Sequence, residues 1–227
     1  MKRRTFVKAA TVASCHIPII SGCRATSKNA IQTNDDTLNS DDIGGYALED
    51  LRKQYHHDLF DDFLPFIDSF IYDPEYGGFM CNTDRDGTNI TGNKRPYYDG
   101  RGIWVYSFLY RHFAPEPRYL EVARKTVEFL MRHEPSGDSM WPAEFTRDGK
   151  PLAPSGNLIY ADAFLATGLQ EYAKATGEMK WWNKARDILF KLVRLYDRRD
   201  YYPDFASAYY YLGEGAPSMT GPRCIGE

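Results

Sequence analysis

The sequence carries no excess of positive charge: 28 Lys and Arg stand against 31 Asp and Glu, a formal net charge of -3 over 227 residues. Phosphate backbones are bound by a surplus of Lys and Arg, so a nucleic-acid partner is not expected. Cysteine is scarce, with four in the chain. Cys15 and Cys23 lie near the start, which leaves Cys81 and Cys224; a disulfide between them is compatible with an exported protein, but one pair does not dictate it. Histidine numbers five, and apart from the adjacent His56 and His57 no Cys or His pair has ligand spacing, so no metal is expected. Glycine-rich phosphate cradles are missing too, and no cofactor is expected. The apolar run over residues 9–20 is too short to cross a bilayer. What the chain does have is aromatic mass, 17 Tyr, 13 Phe and 4 Trp, which excludes a disordered chain of low hydrophobicity.

The first residues read as an address. Lys2, Arg3, Arg4 and Lys8 precede a small, apolar stretch that ends at Ile20-Ser21-Gly22-Cys23. Residues 1–22 are therefore expected to be an export signal of twin-arginine type closing in a lipobox, with Cys23 as the lipidated residue. Residues 23–45, full of Asn, Ser, Thr and Asp and ending in Gly44-Gly45, read as a flexible linker on a lipid anchor. The expected location is the bacterial cell envelope, with the membrane met through the anchor alone, and the folded body spans 46–227.

That body has helical periodicity. Leu48, Leu51, Tyr55, Leu59 and Phe63 mark one helix face, which Pro65 is expected to kink or restart. Residues 73–98 are too rich in Gly, Asn, Asp and Pro for helix and suit a short hairpin around Phe79. Helices are expected over 100–112, around Leu120 to Leu130, over 158–175 and over 179–198, with a loop across 134–156. An offset of 62 lays Tyr119 on Trp181, Ala123-Arg124 on Ala185-Arg186, Leu130 on Leu192 and Arg132 on Arg194. One helix pair is used twice, as in stacked α/α hairpins.

The chemistry concentrates in Lys94-Arg95-Pro96-Tyr97-Tyr98-Asp99-Gly100-Arg101-Gly102-Ile103-Trp104. Aromatic faces cover the C–H side of a sugar while polar groups take its hydroxyls, and Arg101 offers a fork of donors for a carbonyl or ring oxygen. Tyr97, Asp99, Trp104, Tyr160 and Asp162 are the expected substrate contacts. The histidines, at helix C-termini or on an amphipathic first helix, suit capping better than catalysis. Asp99, Glu144 and Asp162 leave open a carboxylate pair for glycoside hydrolysis. Asn82 to Gly87 begins like a calcium loop, yet its twelfth position is Asn93, so a tight turn is expected instead.

Several of these segments carry a resemblance. Pro65-Phe66, then Asp73-Pro74-Glu75-Tyr76-Gly77-Gly78-Phe79 and Asp84 to Gly87, resemble the start of the N-acylglucosamine 2-epimerase family. Lys94 through Asp99-Gly100-Arg101 to Trp104, Ser107 and Tyr110 is similar to its Lys-x-x-Trp-x-Gln-x-Arg helix entry, and Tyr160-Ala161-Asp162-Ala163-Phe164 to Gly177 looks like its fourth helix. The resemblance implies an all-α fold, an (α/α)6 toroid of helix hairpins, here incomplete at about five helices with short β-hairpin loops. It also implies epimerisation or isomerisation at C2 of an open-chain aldose, with Arg101 near the carbonyl oxygen as the catalytic residue carried over. Tyr97 and Asp99 replace the pattern's Trp and Gln. Leu158 stands where related cellobiose epimerases carry a His, and the family's His-bearing helices fall in a second half outside this sequence, so the chain is expected to be a fragment. A glycoside hydrolase and a non-catalytic carbohydrate-binding half-shell are the alternatives. The expected partner is a small carbohydrate, and a homodimer is compatible with the family.

Overall fold

The computed structural model describes residues 42–203 apart from residue 157. The export signal, Cys23, most of the linker and Cys224 lie outside the described residues. The linker's last residues form a small hairpin rather than coil: β1 (Asp42–Ile43) pairs with β2 (Tyr46–Ala47) across Gly44-Gly45, both at positive φ. Two glycines are the residues that a two-residue turn of matching twist requires.

The first helix, α1, runs without a break past Pro65. It is α-helical over Leu48–His57 and Leu64–Phe66 and π-helical over Asp58–Phe63 and Ile67–Ile71. A proline inside a helix removes a donor and crowds the carbonyl four residues back. Here the turn before it is widened, with the Leu64 N–H bonding the Leu59 carbonyl five residues back, so the expected kink is replaced by a π segment.

Four more helices follow as two hairpins. Helices α2 (Pro96–His112) and α3 (Pro117–Arg132) form one, α4 (Tyr160–Thr176) and α5 (Met179–Tyr196) the other. The match in length between α2 and α4, 17 residues each, confirms the duplication read at an offset of 62. Helix α2 begins four residues earlier than Gly100, because Arg95 is extended and Pro96 takes the first helical position, where its fixed φ helps and its missing N–H costs nothing.

Helices α2 and α4 run side by side in parallel. Gly100 sits against the Phe164–Leu165 backbone near their N-terminal ends, and Arg111 pairs with Glu171 near their C-terminal ends. Helices α3 and α5 pack behind them, and the core of Ile103, Leu109, Ala123, Val127, Leu165, Leu169 and Ile188 lies between the two layers.

The long loops carry strands. Besides β3 (Met80–Thr83) and β4 (Asn89–Lys94), the second loop, read as strandless, holds β5 (Glu144–Phe145) and β6 (Pro151–Ala153) around a turn at Gly149, φ +96°. Lys94 pairs with Phe145, so the two hairpins join in one antiparallel sheet of order β3-β4-β5-β6. The Asp84–Gly87 segment is the expected tight turn, closed by the Gly87 N–H on the Asp84 carbonyl and the Thr88 N–H on Asp86. Among the described residues no helix is long and apolar enough to cross a membrane.

A Cβ on Gly100 would lie 2.5 Å from the Leu165 backbone nitrogen. Gly100→Ala should therefore force α2 and α4 apart and destabilise the fold by about 1–3 kcal/mol, read as a lower urea midpoint with unchanged helical circular dichroism.

Candidate functional site

The N-terminal ends of α2 and α4 open onto one face. Arg101, on the second turn of α2, lies with its guanidinium 5.5 Å from the Tyr97 ring and 5.4 Å from the Phe164 ring. The two rings meet edge to face, 4.8 Å apart at 80°. One Arg101 nitrogen donates to the Tyr97 hydroxyl at 3.3 Å, and among the described residues no carboxylate pairs with it. A guanidinium between two aromatic faces is held in place by cation–π attraction while its remaining N–H groups stay free to donate.

One turn on, Trp104 stacks on Phe108 at 4.8 Å and 14°. Tyr160 stands half exposed at the start of α4, one turn before Phe164. The face is therefore aromatic with one cation, and it brings Arg101, Tyr97, Trp104 and Tyr160 together as expected. Phe164, quoted in the sequence only as part of a motif, is the residue that reading missed as a site contact.

Asp99 and Asp162 are not on this face, which corrects their assignment as substrate contacts. Two residues along a helix turn a side chain by about 200°, so Asp99 points away from Arg101, and both acids are fully buried. Asp99 Oδ1 accepts the Phe79 N–H at 2.8 Å. Asp162 Oδ2 accepts the Trp141 N–H at 3.1 Å, and its Oδ1 faces the Lys191 ammonium at 2.7 Å. Phe79 and Trp141 are themselves 62 residues apart. In each repeat, then, the carboxylate on the first turn of the inner helix grips a backbone N–H in the loop that follows the preceding helix. The repeat offset is the sequence signal that could have revealed it.

Burial pushes the Asp99 carboxyl up to about 7, against the lowering effects of the Phe79 N–H and of Lys94, and burial also raises Asp162 despite Lys191. Glu144, the third carboxylate open to a hydrolytic reading, is buried beside Arg95 at 3.6 Å. None of these acids faces the Arg101 side, so the described residues supply no carboxylate pair there for glycoside hydrolysis.

The histidines are elsewhere. His57 pairs with Asp61 on exposed helix surface, and His133 packs against Phe129 and Phe145 under Gly149. His112 stands 11 residues along α2 from Arg101, about 16 Å, near Glu171. No group of three His, Cys, Asp or Glu side chains among the described residues could hold a metal.

Behind the face, Lys94 joins both loops. Fully buried, it lies 2.8 Å from Asp73 and donates to the carbonyls of Gly77 at 2.6 Å and Arg147 at 2.9 Å. Arg147 bonds the same aspartate through two nitrogens.

No protein-family model matches the chain. It is 30% identical over 126 residues to the N-acylglucosamine 2-epimerase of Bos taurus, an alignment covering 54% of the chain and 30% of that protein. It is 29% identical over 134 residues to the cellobiose 2-epimerase of Bacteroides fragilis, covering 57% and 33%. The chain is a relative of the sugar 2-epimerases. The solved cellobiose 2-epimerase of Spirochaeta thermophila superposes with a TM-score of 0.59 at 24% identity, over 74% of the chain and 41% of that structure, which establishes the α/α hairpin arrangement of a toroid as the fold. The chain thus spans about a third of the length of these curated relatives.

Burial favours the neutral acid at Asp73, but Arg147 and Lys94 outweigh it and hold this carboxyl at about 2. A depressed carboxylate stabilises the fold above its unfolded value and loses that contribution as pH falls. The unfolding free energy should therefore drop by about 2–3 kcal/mol between pH 4 and pH 2 through this group, and Asp73→Asn should remove that part of the slope in urea titrations.

Proposed function

We propose that the chain forms the arginine-bearing part of the site of a sugar 2-epimerase or isomerase acting on an open-chain aldose such as an N-acylglucosamine or a related hexose. The observation that carries this reading is Arg101, seated between Tyr97 and Phe164 without an acidic partner among the described residues. Exchange of a proton alpha to a carbonyl builds negative charge on the carbonyl oxygen, and a fixed fork of donors aimed at that oxygen lowers the barrier. Tyr97, Phe164 and Trp104 offer the apolar surfaces on which the C–H side of the substrate stacks.

The other half of the chemistry is a base for the C2 proton and an acid for its return. No described histidine stands on the Arg101 face, so in this reading the base comes from residues outside those described, and the chain is one portion of a larger toroid. Relatives named for N-acylglucosamine and for cellobiose make those two sugars the first substrates to test. The same proposal places the protein in the cell envelope, tethered through Cys23; Cys23→Ser should move it from the membrane fraction to the soluble one.

Incubation with N-acetylglucosamine or cellobiose in heavy water should yield an isomer carrying deuterium at C2. Arg101→Ala should cut turnover by about 10²–10³-fold while circular dichroism stays unchanged. Water added to the product would replace this reading with hydrolysis. Sugar binding without any exchange would favour the half-shell that holds carbohydrate and does not turn it over. Turnover unaffected by Arg101→Ala would remove that residue from the site.

A further inference from the structure

We infer that Asp99 is the positioning residue of Arg101, holding the first turn of α2 to the loop behind it through the Phe79 N–H and so fixing where the guanidinium stands on the open face. The inference rests on the proposed role of Arg101 and extends it to the structure that aims that residue.

The geometry is specific. Asp99 and Arg101 sit on opposite sides of the same two turns, and that stretch is confined on each side. On one side Gly100 is pressed on the Phe164–Leu165 backbone and Phe164 lies beside the guanidinium. On the other, Phe79 is packed so closely that a Cβ on Gly102 would overlap its ring. A displacement of Phe79 is therefore passed to α2, and the 2.8 Å bond to Asp99 is the polar tie between them. The second repeat uses the same tie, from Asp162 to Trp141, but with a difference. There Lys191 of α5 brings an ammonium to the carboxylate. At the equivalent place on α3, 62 residues earlier, stands Phe129, and Asp99 Oδ2 is buried with no hydrogen-bond partner. The ammonium over the Phe129 ring, at 4.3 Å, belongs to Lys94 and is spent on Asp73 and two carbonyls.

The charged and titratable groups around Asp99 can be named in full. From β4 and the residue after it come Lys94 and Arg95; from the loop after α1, Asp73 behind Lys94; from the β5 hairpin, Glu144 beside Arg95 and Arg147 on Asp73; from β3, Cys81, whose thiol is pushed up by burial and then by Asp99. Helix α4 meets this turn with backbone only. Neutral Asp99 needs no counter-charge and leaves Lys94 on Asp73. Once ionised, it puts an unpaired oxygen in a dry site and competes for Lys94, so the tie yields above neutral pH. The sign follows from a folded-state carboxyl raised to about 7: the arrangement is intact below that value and loosens as pH rises through it.

The test compares the full chain with Asp99→Asn, which keeps an acceptor without titrating, and Asp99→Ala, which leaves the buried Phe79 N–H orphaned. Two readouts are taken at pH 6 and pH 8.5: the affinity for N-acetylglucosamine and cellobiose, and the hydrogen exchange of amides 77–80 relative to the Asn variant at the same pH. At pH 6 the wild type and Asp99→Asn should bind alike, and Asp99→Ala about tenfold more weakly. At pH 8.5 the wild type should fall toward the Ala variant in both readouts, while the Asn variant holds in both. Exchange over 77–80 that is the same in all three proteins overturns the tie. Exchange that follows the expected pattern with equal sugar affinity throughout overturns the positioning of Arg101. Expected exchange with no sugar bound by any of the three supports the tie and instead sinks the sugar reading on which Arg101 was chosen.

Discussion

The approach of α2 to α4 governs everything on the open face. Gly100 and Gly168 oppose each other at the crossing, so backbone meets backbone with no side chain between. Glycine inside a helix costs about 1 kcal/mol against alanine, and Gly102 adds to the cost. The return is closeness: with the helices this near, Phe164 of α4 reaches the guanidinium on α2, and the Tyr97 ring closes edge-on against it. A wider crossing would leave Arg101 free to pair with any nearby acid.

The two repeats share this scaffold and differ in charge. Each begins its inner helix with a buried carboxylate bonded to a loop N–H, and each loop forms a hairpin that enters the common sheet. In the second, an outer-helix lysine compensates the acid. In the first, Phe129 takes that place and the lysine is recruited from β4, where it also serves Asp73. A buried ion pair is costly to assemble and more costly to break, so Lys94 and Asp73 form a commitment from which little can be diverted to Asp99. The first repeat, the one that carries Arg101, is thus the electrostatically unfinished one.

Much of this was legible in the sequence. The offset of 62 announced paired hairpins, the 3.6-residue periodicity gave five helices, and the cluster from Tyr97 to Trp104 marked the face that the structure exposes. The misses have physical causes. Proline at 96 reads as a breaker within a loop but initiates α2, and proline at 65 is absorbed by π turns that no periodicity announces. Two- and three-residue strands such as β5 and β6 are too short to show alternation. Asp99 and Asp162 were assigned to the wrong side because composition places carboxylates in water; a burial that depends on one backbone N–H from a loop 20 residues away leaves no local pattern.

The burial of those acids also decides what the face can do. A carboxylate beside Arg101 would neutralise it and hold its donors, and the guanidinium would then have little to offer a carbonyl oxygen. With Asp99 and Asp162 turned into the protein and the rings of Tyr97 and Phe164 on either side, the positive charge keeps its donors and is partly shielded from water, where its interaction with developing negative charge is stronger. An electrophile prepared this way favours the enolate-like state of an aldose over its neutral form. By itself it moves no proton, so the face is suited to complement a base rather than to replace one.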